Sequence, residues 1–334
     1  MADKTESQPC VPTEYKLLRV LGEGSFSKVV KCRKRVNGDI VALKLLWNPG
    51  GFNELQICER MKKFDVHKKN IVKFIDSFRR DSTWVLVFEA LDISLDAYIM
   101  KTHNLPMSHT DIRTIVQQMA VALDQLAKMG IIHTDVKTDN IVLVNQQRPF
   151  RVKLIDFGLS IVSAKAKAGT SMQALAYRAP EIILGLPFGE PIDMWSLGIV
   201  MTVLINGTLI MEPRTELSAI HQILELLRQP HEHLLQKGIK SKKYFIKSTK
   251  GWRLKSHKVD MSCFQSLDEL KEKSTQFKEE ESRENCFDLL KAMLQVDPDK
   301  RITPKKVLAH PFISSRPFSG SGEREAIISD SGSS

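Results

Sequence analysis

Apolar and polar positions change period once along this chain. Over residues 15–91 apolar residues alternate with polar ones or cluster in short runs, the pattern of strands. YKLLRVLGEG and SKVVKCRKRV are two such runs joined by a glycine-rich turn. Asn37-Gly38-Asp39 is a tight hairpin signal and leads into a third strand, IVALKLLW. After the break at Pro49-Gly50-Gly51, Leu55, Ile57 or Cys58, and Met61 make the apolar stripe of a short helix. NIVKFIDSF and TWVLVFEA read as two further strands. The first part of the chain is thus expected to be a mostly antiparallel sheet with one helix.

From residue 92 the period becomes helical. In DIRTIVQQMAVALDQLAKM the apolar residues Ile112, Ile115, Val116, Met119, Leu123 and Leu126 recur on one face. Ser108 or Thr110 can cap this helix and Gly130 ends it. A polar loop follows, then short strands at Ile141–Val144 and VKLI. IDMWSLGIVMTVLI is apolar for about fourteen residues, too short for a membrane span and right for a buried helix. Helices are expected over 216–228 and 284–295, and Thr303-Pro304 opens a last one. Residues 1–14 and 314–334 have the composition of flexible tails, and no internal repeat occurs.

Composition narrows the classes. The chain is 334 residues long with 42% hydrophobic content, ordinary for a globular protein with a sizeable core. Its N-terminus has no apolar signal region. Five cysteines lie far apart without a CxxC pair, which argues against a disulfide framework or a zinc site and for reduced thiols in cytosol or nucleus. The net charge of +10 is spread over clusters such as Lys31 with Arg33-Lys34-Arg35, Lys62-Lys63 with Lys68-Lys69, and Lys240 with Lys242-Lys243. These read as solvated surface. Only Tyr244-Phe245 hints at the interleaved aromatics that nucleic-acid binding wants, so no direct nucleic-acid contact is expected.

Three stretches carry candidate chemistry. Gly22 and Gly24 in GEGSFS would let the backbone approach a triphosphate, with a strand rather than a helix following. Lys44 is a lone cation in an apolar strand; it is either an edge lysine facing solvent or a phosphate ligand held by a carboxylate of the next helix. Glu54 is the first candidate for that carboxylate and Glu59 the rival. Asp135, Lys137 and Asn140 crowd one loop, and Asp156 follows in LIDFGLS. A carboxylate can accept a hydroxyl proton, an amide with a second carboxylate can hold Mg²⁺, and a lysine can offset charge on a moving phosphoryl group. Buried strands flank both loops, so the two loops are expected to emerge together.

In this order the motifs resemble the protein-kinase signature. Gly22-x-Gly24 with Val29, VALK at 41–44, HTDVKTDN at 133–140, DFG at 156–158 and APE at 179–181 each fall in the required context. The match runs from about residue 15 to 313. YRAPEIILGLPFGEPIDMWSLGIV, VFEAL, RVKLIDFG and DPDKRITP…HPF are similar to homeodomain-interacting protein kinases, in the wider dual-specificity Tyr-regulated and cyclin-dependent-like group. The resemblance implies an α+β, two-lobed fold with a β-rich N-lobe at 15–91 and a helical C-lobe at 92–313. It implies ATP and Mg²⁺ as cofactors and serine or threonine of proteins as acceptors, from the position of Lys137 after Asp135. Asp135 would orient and deprotonate the acceptor, Lys137 would stabilise the phosphoryl group, Asn140 and Asp156 would hold Mg²⁺, and Lys44 with Glu54 would position the phosphates. Leu21, Gly22, Gly24, Val29, Ala42 and Val142 would enclose the nucleotide. Phe88 would stand behind it, with Glu89 and Leu91 offering backbone groups to the base. Asp193 would tie the buried helix to the catalytic loop, and Glu181 would pair with Arg301.

The chain also departs from the pattern. Ser27 replaces the third glycine, Lys44 and Glu54 are close together, and Thr134 stands where many kinases have an arginine that grips a phosphate. Aligned on YRAPE, Ser171 falls where that family phosphorylates a tyrosine and Leu175 where it has one of two arginines, so only Arg178 remains. The activation segment is then held either by apolar contacts of Met172, Leu175 and Ala176 or by phosphate on Thr170 or Ser171. The reading is a monomeric serine/threonine kinase of nucleus or cytoplasm, able to act on Ser/Thr-Pro sites and on transcription factors. The alternatives are a pseudokinase scaffold and a small-molecule phosphotransferase; APE and the buried helix, which build a peptide shelf, argue against the latter.

Overall fold

The computed structural model describes residues 11–24, 27–47, 51–81, 83–227, 229–256 and 266–314. The tip of the glycine-rich turn, Pro49-Gly50, Cys10, Cys263 and the greater part of both expected tails lie outside them. Five strands, β1 (Tyr15–Gly24), β2 (Ser27–Lys34), β3 (Ile40–Leu46), β4 (Phe74–Arg80) and β5 (Thr83–Glu89), form one antiparallel sheet in the order β1-β2-β3-β5-β4. Helix α1 (Gly51–Lys62) crosses from β3 to β4 and buries Leu55, Ile57, Cys58 and Met61, so both alternatives for its stripe face inward. Residues 11–14, expected to be a loose tail, are tied to the sheet instead: Arg35 donates its amide to Glu14 O at 2.8 Å and its Nε to Thr13 O at 2.9 Å.

The sheet has two apolar faces, and this decides where β3 sends its polar residue. Val41, Leu43 and Leu45 pack with Val30, Cys32, Val85 and Val87 on the outer face. Ala42 and Leu46 join the main core beneath, together with α1. Side chains alternate along a strand, so Lys44 points with Ala42 and Leu46 towards α1 and is only 6% exposed.

The second part is helical. α2 (Leu95–Lys101) precedes α3 (His109–Lys128), which Ser108 caps by accepting the Asp111 amide at 3.2 Å. Four short strands, β6 (Ile131–Ile132), β7 (Ile141–Leu143), β8 (Val152–Leu154) and β9 (Ile161–Val162), pair as β6–β9 and β7–β8. These two small ladders present the loops after β6 and β8 side by side. α4 (Pro180–Leu184) leads to α5 (Pro191–Asn206), buried from Ile192 to Ile205 as its apolar run predicts. No helix among the described residues is long and apolar enough to cross a membrane.

α6 (Glu216–Leu227) matches its expected span within a residue. The sequence pattern did not predict what comes next: α7 (Glu232–Lys237), α8 (Ser241–Tyr244), a hairpin of β10 (Phe245–Ser248) and β11 (Gly251–Leu254), and α9 (Leu267–Lys273). These pieces are too short to show a period. α10 (Glu280–Met293) starts earlier than expected because its first turns are charged and carry no apolar signal. α11 (Pro304–Ala309) opens at Thr303-Pro304 as expected, and α12 (Pro311–Ser314) closes the described chain.

One ion pair fastens the helices together. Arg301 meets Glu181 in a fork at 2.6 and 2.9 Å with both side chains fully buried, donates to Pro191 O and Gln295 O, and lies 5.3 Å over the Trp195 ring. Removing one partner leaves a buried charge unpaired. We expect Arg301→Leu to lower unfolding stability by about 3–5 kcal/mol in denaturant titration.

Candidate active site

The site begins with Lys44. Its Nζ lies 2.7 and 2.9 Å from the two Glu54 oxygens and 2.8 Å from Asp156 Oδ1, so one ammonium joins sheet, helix and the loop after β8. The close spacing in sequence works because α1 starts at Gly51, which places Glu54 in its first turn and facing inward at 1% exposure. Glu59 is exposed on the far side, so the rival pairing does not form. Burial alone would lower the Lys44 pKa, but Glu54 and Asp156 outweigh it and the net shift is upward. Burial raises Glu54 against the pull of Lys44. Asp156 is also pushed up by burial, yet Lys44 and the Gly158 amide hold it below the usual carboxylate range, so it stays ionised.

Gly158 is part of this convergence. A β-carbon there would stand 3.1 Å from Asp156 Oδ1, 3.4 Å from Glu54 Oε2 and 3.6 Å from Lys44 Nζ. Its amide donates to Asp156 Oδ1 at 3.0 Å.

The loop after β6 supplies the other groups. Asn140 Nδ2 donates to both the backbone oxygen and Oδ2 of Asp135 at 2.8 Å, and Lys137 Nζ stands 3.2 Å from the same carboxylate. Ile155 N donates to Asn140 O at 2.9 Å, and His133 Nε2 lies 3.0 Å from Ile155 O, which stitches the loop to the strand leading into Asp156. Burial lowers the His133 pKa, so the ring is neutral at neutral pH. Asp193 at the start of α5 accepts the His133 and Thr134 amides at 2.7 and 2.9 Å; burial raises its carboxyl to about 7 against these two donors.

Thr134 is fully buried and carries φ 66°. A β-branched residue with positive φ is strained, and here two partners impose it: Asp193 takes its amide, and its hydroxyl donates to Leu159 O at 2.7 Å. Thr134 therefore bridges the two loops rather than reaching towards the activation segment.

The residues expected to face the nucleotide differ in exposure. Ala42, Phe88 and Val142 are nearly buried, Val29 and Leu91 half-buried, and Leu21 is 39% exposed. A β-carbon on Gly22 would meet nothing within 4 Å, whereas on Gly24 it would touch Ser27, which β1–β2 pairing places opposite. Glu89 donates its amide to Lys73 O at 3.1 Å, so only its carbonyl is left to offer a base. Its side chain accepts from Lys73 N and Lys153 Nζ.

In the activation segment Met172, Leu175 and Ala176 pack half-buried against the core. Gln173, at φ 67°, was not singled out by its motif, yet its side chain is buried among Ile192 O, Ser196 Oγ and the Ala179 amide. Arg178 donates to Gln173 O at 2.8 Å and to Glu216 Oε1 at 3.0 Å. Glu216 also accepts from Lys243 and Tyr244. Sequence reading missed this carboxylate because nothing local links α6 to the segment.

A five-stranded sheet over helices, with a lysine shared by two carboxylates beside an Asp-Lys-Asn loop, defines a phosphoryl-transfer class. The chain belongs to the protein kinase family: the model of the protein kinase domain matches residues 15–313. It is similar to homeodomain-interacting protein kinase 2 of Mesocricetus auratus, 38% identical over 90% of this chain and 28% of that protein. It is likewise similar to homeodomain-interacting protein kinase 1 of Caenorhabditis elegans (33%, 93% of this chain, 42% of that protein) and homeodomain-interacting protein kinase 4 of Homo sapiens (32%, 90% and 55%). The chain thus spans between about a quarter and just over half of these relatives. The family implies ATP and usually Mg²⁺. Among the described residues no group of three or more His, Cys, Asp or Glu could hold a metal alone. One amide oxygen at Asn140 and one ionised carboxylate at Asp156 suit a hard ion that completes its shell with phosphate oxygens and water.

The two glutamates separate cleanly in function. Glu54→Gln is expected to lower kcat/KM by about a hundredfold through a misplaced Lys44, while Glu59→Gln leaves it unchanged in a peptide phosphorylation assay.

Proposed function

We propose that this chain is a serine/threonine protein kinase that moves the γ-phosphoryl group of ATP to protein hydroxyls. The observation that carries the reading is the one ammonium at Lys44 bonded to both Glu54 and Asp156, the arrangement an assembled phosphate site requires. In this reading Asp135 orients the acceptor hydroxyl and takes its proton. Its carboxylate is aimed by Asn140 Nδ2 and lies beside Lys137, whose charge offsets the phosphoryl group in transfer. Lys44, kept protonated by its two partners, holds the donor phosphates. Asn140 and Asp156 would hold Mg²⁺, which when bound would supply positive charge against the phosphates. Leu21, Val29, Ala42 and Val142 enclose the base, Phe88 backs the pocket, and Glu89 and Leu91 offer it backbone groups. Gly22 and Gly24 let the roof approach the phosphates.

Acceptors followed by proline fit the activation segment. The left-handed Gln173 turns its carbonyl to Arg178, so that acceptor is already used. A residue seated there with its own N–H would leave that donor unpaired, at about 1–3 kcal/mol, whereas proline has none. Ser-Pro peptides are therefore expected to exceed Ser-Ala peptides in kcat/KM by about tenfold. The segment needs no phosphate in this reading: apolar packing of Met172, Leu175 and Ala176 and the Arg178–Glu216 pair hold it. Protein shown by mass spectrometry to lack phosphate on Thr170 and Ser171 is expected to be fully active. Homeodomain transcription factors as partners are suggested by the names of the relatives, and a nuclear or cytoplasmic place by the dispersed cysteines.

Asp135→Asn tests the reading as a whole. Phosphotransfer to a peptide is expected to fall by about a thousandfold. Equal, background-level incorporation by wild type and variant would instead mark a pseudokinase.

A further inference from the structure

The net charge of +10 is not spread evenly. Positions 237–255 hold eight lysines and arginines and no aspartate or glutamate. This is the part of the chain that forms the end of α7, α8 and the β10–β11 hairpin. Three of its cations serve the fold. Lys255 Nζ donates to Lys242 O and Lys243 O at 2.8 and 3.0 Å, Lys243 pairs with Glu216 at 3.1 Å, and Lys240 Nζ donates to Ser171 Oγ at 3.2 Å. Lys242, Lys247, Lys250 and Arg253 are exposed, and no ion pair to any of them occurs among the described residues. Lys247 and its cross-strand partner Trp252 share one face of the hairpin, with the ammonium 5.6 Å over the ring, while Arg253, opposite Ile246, extends from the other face.

The position of this basic surface gives it meaning. Ile239, though 70% exposed, lies against the activation segment at Gly169, where a β-carbon would stand 2.6 Å from its Cδ1, and against the end of α4 at Gly185, where one would stand 2.8 Å from its Cγ1. Lys240 reaches Ser171, and Arg178 and Lys243 share one carboxylate, Glu216. The strip is thus continuous with the segment that presents the acceptor. A group of exposed cations with few acidic neighbours makes a positive field, and the partner such a field attracts is an acidic one.

We propose that the surface of α8 and the β10–β11 hairpin binds an acidic stretch of the protein substrate, carboxylate or phosphate, flanking the phosphorylated serine or threonine. The substrate part of this inference rests on the kinase reading above; the binding part does not. Wild type is expected to phosphorylate a peptide with a run of four glutamates beside the acceptor at a KM about tenfold below that of the same core flanked by glutamines, the scale of several exposed ion pairs. The effect resides in KM, not kcat, and fades as salt is raised from 50 to 300 mM.

The quadruple substitution Lys242→Gln, Lys247→Gln, Lys250→Gln, Arg253→Gln is expected to abolish the preference while the glutamine-flanked peptide reacts as before. Phosphoserine in place of the glutamates tells whether phosphate or carboxylate is preferred. Fluorescence anisotropy with an alanine in place of the acceptor measures the surface without chemistry. If no peptide is phosphorylated yet acidic peptides bind and the quadruple variant does not, the kinase reading fails and the surface stands. Equal KM for acidic and neutral flanks, or an undiminished preference in the variant, overturns the proposal. So does tighter binding of duplex DNA or RNA oligonucleotides than of acidic peptide, lost in the same variant.

Discussion

The site rests on a shared proton donor. Lys44 offers one positive charge to two carboxylates, the buried Glu54 and the more exposed Asp156. Two charges of one sign and one of the other leave the cluster net negative, and a buried charge left unpaired is costly. The chain lowers that cost with the Gly158 amide on Asp156 and leaves the rest to be met by what binds. A cation bridging to phosphate is the natural complement, and the carboxylate nearest the opening, Asp156, is the one kept ionised. Geometry and charge thus ask for the same partner.

This cluster depends on backbone held in uncommon conformations. Thr134, Asp156 and Gln173 all have positive φ, between 63° and 67°. Such residues persist only where their surroundings over-determine them. Asp193 holds Thr134 from α5, Gly158 and Lys44 hold Asp156, and Ser196 with Arg178 holds Gln173. Two of the three anchors sit on or at α5, which explains why that helix is apolar on every side. It is the rigid post from which both the catalytic loop and the activation segment are positioned.

Much of this was legible in sequence, because much of it is local. The period change near residue 92, the hairpin at Asn37-Gly38 and the cap at Ser108 are set by neighbours within a few positions. Motif order told which loops meet. Choosing Glu54 over Glu59 needed the start of α1, which no apolar stripe fixes to a single residue. Ser171 and Leu175 at the positions aligned on YRAPE, and the apolar contacts of Met172, Leu175 and Ala176, could be read from sequence, but not the carboxylate that meets Arg178. Arg178 meets Glu216 across 38 positions, and Thr134 meets Leu159 across 25, so only the folded chain brings them together. The hairpin after α8 escaped notice because its strands are too short to alternate visibly.

The charge pattern divides the molecule by task. Around Lys44 the carboxylates outnumber the cation they share, a charge balance that suits a metal-bound anion. Positions 237–255 contribute cations and no acids of their own, with Lys243 alone among them ion-paired among the described residues, and they adjoin the activation segment at Ser171. A single chain that must hold one anion through a metal and another directly gains by keeping these fields apart. Exposed charges more than about 8–10 Å apart are largely screened, so the strip's field acts on what lies at its own surface. The cations of this contiguous stretch are tied to the activation segment through Lys240 and Lys243, while Lys44 is held inside the fold by Glu54.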